Sequence, residues 1–103
     1  MIRFTTPTHA HRVKGIDLTG CDVWVSYEQG LANVNVKAAA VEYDGQDTVV
    51  TVPLTQLQTA RFKDGRAMVQ INWIHPDGKR NAVRPKEMKI VGNLLKKAVG
   101  YGD

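Results

Sequence analysis

An all-β sandwich is the fold class this sequence predicts, and three observations predict it. Apolar and polar residues alternate with period two along most of the chain. Turn-forming residues recur roughly every eight to twelve positions. Only two short segments break the alternation. About seven or eight short strands are expected, in one domain spanning residues 1–103.

The opening residues supply one or two strands, at 2–5 and roughly 9–13, separated by Pro7. Proline cannot donate to a ladder, so it suits an edge or a strand switch. In CDVWVSYE, Cys21, Val23, Val25 and Tyr27 share one face, and Asp22, Trp24, Ser26 and Glu28 the other. After Gln29 and Gly30, ANVNVKA sets Val34 and Val36 against Asn33, Asn35 and Lys37. The stretch AVEYDGQDTVVTVPL is two β-rich runs around Asp44 and Gly45, a strong hairpin signal because the turn needs a residue tolerant of positive φ. Further on, AMVQINW places Val69, Ile71 and Trp73 inward and Met68, Gln70 and Asn72 outward. Pro85 interrupts the run that follows and leaves MKIV as the last strand.

Two segments read as helical. Thr55 and Gln58 fit a capping box, with a threonine oxygen for the N3 amide and a glutamine reaching back to the cap. That turn carries Leu57 and Phe62, stops at Asp64 and Gly65, and is expected to take the chain from one sheet to the other. The second segment, residues 93–99, has Asn93 as its cap and Lys96 and Lys97 near the negative end of its dipole.

Hydrophobic content of 43% and charged content of 23% are ordinary for a folded globular protein. No apolar run approaches the roughly eighteen residues that would span a membrane, and MIRFTTPTHAHRV has no apolar signal core. The chain is expected to be neither membrane-spanning nor conventionally secreted. A single cysteine, Cys21, excludes an internal disulfide and suits a reducing compartment.

The chemistry-bearing residues are few. In WIHPDGKR, Pro76 presets φ, Asp77 accepts local amides and Gly78 takes the left-handed position, so the stretch is a hairpin first. His75 and Asp77 make a poor catalytic pair without a third group. His9 and His11 would point the same way on a strand, yet no spacing ties a third metal ligand to them. Cys21 reads as a small buried hydrophobe. No nucleophile–base spacing and no phosphate-cradling glycine loop is present, so neither catalysis, a cofactor nor a metal is expected.

Two features point to binding. Trp24 falls on the polar face of its strand, where an aromatic either covers a small cluster or anchors an interface. The net charge is +4, and seven of the fourteen basic residues lie between positions 79 and 97: Lys79, Arg80, Arg84, Lys86, Lys89, Lys96 and Lys97, opposed only by Glu87. Such a patch is a solvated surface, a contact for an acidic protein face, or a nucleic-acid footprint.

MIRFTTPTH at the start, the L-T-Q-x-x-T segment at 54–59, and the lysine–glycine turn leading into valine/glutamine alternation at 63–70 resemble a group of short proteins from prophages of Firmicutes-type gut bacteria. Asp64 is inserted between that lysine and glycine, and His11 stands where an aromatic is more usual. The basic C-terminal segment replaces what is often an acidic end. The resemblance implies an immunoglobulin-like β-sandwich, encoded among virion genes and used in a tail, baseplate or capsid. It carries over no catalytic residues.

The leading functional expectation is therefore a non-enzymatic virion or prophage structural module. It would assemble with copies of itself or with another virion protein, in the particle and in the host bacterial cytoplasm before that. Its contact residues are expected to be Trp24, Lys79, Arg80, Arg84, Lys86 and Lys89. The alternative is a nucleic-acid-binding accessory protein using residues 79–97, though it has few aromatics for base stacking. A third reading, a carbohydrate-binding module stacking a sugar on Trp24 or Trp73, is disfavoured by an aromatic content of 7%.

Overall fold

The computed structural model describes residues 1–92. Eight strands and one short helix are present among them: β1 (Thr8–Lys14), β2 (Asp22–Gln29), β3 (Ala32–Lys37), β4 (Ala40–Tyr43), β5 (Asp47–Pro53), α1 (Gln56–Ala60), β6 (Gly65–Ile74), β7 (Arg80–Ala82) and β8 (Lys86–Ile90). They form two antiparallel sheets, one ordered β1-β5-β4 and the other β3-β2-β6-β7, with β8 also on β6. β7 and β8 flank β6 on the same side, one against each half of it, as one edge strand broken around Pro85. In immunoglobulin lettering, β1, β5 and β4 take the places of B, E and D. β3, β2, β6 and the β7–β8 pair take those of C′, C, F and G.

The alternation explains the layers. Val23, Val25 and Tyr27 of β2, Val34 of β3, and Ala67, Val69, Ile71 and Trp73 of β6 face Val13 of β1 and Val50 and Val52 of β5 across one apolar core. Leu18, Leu54, Phe62 and Ile90 belong to the same core. The expected Asp44–Gly45 hairpin joins β4 to β5, with Gly45 at φ +95° and Tyr43 paired with Thr48.

Two expectations change, and the crossover helix shows which of its residues turn inward. Residues 2–5 do not form a strand: Ile2 makes a single parallel bridge to Val91, and then Phe4 turns the chain at φ +58°. The Thr5 hydroxyl closes that turn on the Ile2 carbonyl at 2.5 Å. The last strand begins at Lys86 rather than Met88, because the backbone resumes pairing with Val69 directly after Pro85. In the crossover helix Phe62 is buried but Leu57 is exposed, and the residues turned inward are Gln56 and Thr59. Thr59 Oγ1 donates to the Thr5 carbonyl at 2.9 Å and accepts the Thr5 amide at 3.1 Å, so this face ties down the N-terminal segment. The helical turn expected at 93–99 lies outside the described residues.

Candidate functional site

Strand register gathers the expected contact residues into two places. On the outer face of the five-stranded sheet, Trp24 is paired with Lys37 on one side and Asn72 on the other. Arg80 is paired with Ile74 one step along the same face. Trp24, Ser26, Asn35, Asn72, Ile74 and Arg80 together line a shallow hollow of about 340 Å³. Trp24 is 38% exposed, a large aromatic surface surrounded by amide and hydroxyl groups. The Ser26 hydroxyl donates to Asn35 at 2.6 Å, and the Asn35 amide donates to Asn33 at 2.5 Å, which fixes the polar rim. Trp24 and Arg80, far apart in sequence, share this hollow.

The second place is a groove on the open side of the sandwich, between the free edge of β1 and the β7–β8 edge. It measures about 600 Å³ and is lined by Ala10, His11, Arg12, Val13 and Lys14 from β1 and by Val69 and Ile71 from β6. Val83, Arg84, Lys86, Glu87 and Met88 complete it. Arg84 and Lys86 are the sequence-selected residues here. Lys14, which the sequence reading passed over, joins them.

Lys79 and Lys89 join neither place. Lys79 sits at the tip of the turn, its amide donating to Asp77 at 3.0 Å. Lys89 is on the outer face opposite Arg66, well along the sheet from Arg80. The basic run is thus divided: Arg80 and Lys89 share a face with Trp24, while Lys86, opposite the buried Val69, is on the groove side. Lys96 and Lys97 lie outside the described residues.

His9 and His11 do point the same way, but they converge on a phenol. His9 Nδ1 is 2.8 Å and His11 Nε2 2.9 Å from the hydroxyl of the buried Tyr27, with the two imidazoles edge-on at 5.7 Å. Both histidines are held below their usual pKa, chiefly by burial. His11 and the N-terminal amine add to the effect at His9, and Lys86 adds to it at His11. Burial raises the Tyr27 phenol, so it stays protonated. A phenol that donates to one neutral imidazole and accepts from the other satisfies all three groups. Among the described residues no three histidine, cysteine or carboxylate side chains are arranged to hold a metal.

Cys21 is half-buried rather than fully buried, and its sulfur is 3.5 Å from His75 Nδ1. Desolvation raises its pKa, and Asp17, Asp22 and Asp77 push it further. A thiol so placed is kept out of the nucleophilic thiolate form. No helix among the described residues is long and apolar enough to cross a membrane. No protein-family model matches this chain, and no curated protein matches it.

Proposed function

We propose that the chain is a non-enzymatic structural module of a prophage-encoded virion, and that it assembles through the outer face of its five-stranded sheet. The observation that carries this reading is Trp24. A tryptophan on the outer face of a central strand, beside an arginine and among amide side chains, has the composition of a binding hot spot. The likeness of the N-terminal and central motifs to prophage proteins supports the virion setting. Partners in this reading are further copies of the chain or another virion protein.

The test is size-exclusion chromatography with light scattering, on the chain alone and mixed with the products of its neighbouring genes. The expected result is an assembly that resists salt and ignores added DNA. Trp24→Ala should weaken it by about 2 kcal/mol or more, the scale of a hot-spot truncation, without lowering the melting temperature. Loss of folding in Trp24→Ala, or assembly equal to that of the wild type, would sink the reading. A monomer shifted only by DNA at low salt would support the nucleic-acid alternative instead.

A further inference from the structure

The open side of the sandwich carries a second, independent inference. On the opposite side the two sheets are joined by the short link between β3 and β4. On this side, among the described residues, only the N-terminal ones bridge the gap, and only at one end. The Val91 amide donates to the Met1 carbonyl at 2.8 Å, the Arg3 amide donates to the Val91 carbonyl at 2.9 Å, and the terminal amine donates to the Lys89 carbonyl at 2.7 Å. Beyond Met1 the edge of β8 has no strand beside it among the described residues. Backbone groups on a strand alternate in direction, so those of Glu87 face the same free side as those of Val91. β1, last in its sheet order, likewise has no strand on its outer side among the described residues.

The gap is apolar beneath. Of the buried core residues, Val69 at 7% and Ile71 at 6% are the most exposed, and both line the groove. Val83 and Met88 pack beside them. The rim is cationic in a specific way. Arg12 is already paired with Asp44 at 2.9 Å and Asp47 at 3.1 Å, and Glu87 with Arg66 at 3.1 Å. Lys14, Arg84 and Lys86 line the same groove and make no ion pair among the described residues.

We propose that this groove accepts one extended segment of another protein, adding as a strand between β1 and β8, in which apolar side chains alternate with acidic ones. The apolar side chains lie on Val13, Val69, Ile71, Val83 and Met88. The acidic ones, on the outer face of the added strand, meet Lys14 and Arg84, and the exposed Lys86 adds its charge from the mouth of the groove. Strand addition draws affinity from main-chain hydrogen bonds and specificity from alternate side chains, which is the division of labour this groove offers. A second copy of the same chain is a poor occupant: with a net charge of +4 and Lys86 and Lys89 on its own edge, it would bring like charge to like charge. The inference does not depend on the Trp24 face, because the two surfaces are separate.

The probe is a fluorescent eight-residue peptide alternating valine with glutamate, compared with its valine–lysine counterpart by anisotropy and by amide chemical shifts. The glutamate peptide should bind saturably, perturb Glu87 and Ile71, and release with salt. Lys86→Glu and Arg84→Glu, both at exposed positions, should each weaken it about tenfold, close to 1.4 kcal/mol. Trp24→Ala should leave it unchanged. Absence of binding, equal binding of the two peptides, or shifts confined to the Trp24 face would each overturn the proposal.

Discussion

Tyr27 shows how one buried hydroxyl sets a pH limit. Its oxygen can serve both imidazoles only while they are neutral or while one alone is charged, since a second proton would set two cations 5.7 Å apart. His9 and His11 titrate near 6.5 in the unfolded chain and lower in the folded one, mainly because burial penalises the charged ring. The unfolded state therefore binds more protons at mildly acid pH, and stability rises with pH in that range. The histidine contribution is complete above the unfolded value of about 6.5 and is lost as pH falls through it toward the depressed folded values. Asp44, held at about 2 by the Asp47 and Gln46 amides and by Arg12, titrates well below this window. Thermal melts followed by circular dichroism should show a melting temperature that falls between pH 7.5 and pH 5. His11→Gln should remove more than half of that fall, because it deletes one titrating ring and its repulsion on the other. A melting temperature flat across the window, or unchanged pH dependence in the variant, would contradict this account.

Elements whose cause is local were readable from the residues alone; those whose cause is tertiary were not. The capping box at Thr55 and Gln58 is present in full, the Thr55 hydroxyl accepting the Gln58 amide at 3.1 Å and the Gln58 side chain accepting the Thr55 amide at 2.9 Å. Both partners lie within four residues, so spacing suffices to find them. Thr55→Ala should cost about 1 kcal/mol in urea unfolding, with an unchanged slope against denaturant. An effect below a few tenths would mean that burial of Gln56, Thr59 and Phe62 alone holds the turn. The inward face of that same helix is not legible from spacing, because Thr59 is held inward on the backbone of Thr5, fifty-four positions away. The strand expected at 2–5 failed for a backbone reason, the left-handed Phe4, which no hydrophobic pattern encodes. Trp24 was legible as an outward aromatic, yet its meeting with Arg80 depends on the registers Trp24–Asn72 and Ile74–Arg80 between distant strands. The groove left no signal in the sequence, because it is a place where pairing stops.

At the scale of the whole molecule, the same strand alternation decides how the positive charge can act. The seven basic residues between positions 79 and 97 look like one patch when read in line. Acting together on a duplex they would displace enough counterions to give a log–log salt slope of about −6. The fold divides them: Arg80 and Lys89 go to the Trp24 face, at opposite ends, and Arg84 and Lys86 to the groove beside Lys14. On the sheet face Lys37 and Arg66 add little, because each is already paired, with Asp22 at 3.4 Å and Glu87 at 3.1 Å. Among the described residues, a rigid duplex laid on either side therefore meets two or three cations that make no ion pair. The expected outcome of a fluorescence titration with mixed-sequence duplex DNA is weak binding with a slope of about −2 to −3. Since Lys86 and Arg80 lie on different sides, only one of Lys86→Glu and Arg80→Glu should matter for the bound orientation, and that one should remove close to one unit of slope. A slope near −6 would mean that the cations act as a single surface, which would favour nucleic acid over a protein partner. A shallow slope leaves Lys14, Arg84 and Lys86 free to read the acidic side chains of an incoming strand, where three fixed charges beside an apolar floor discriminate by position rather than by number.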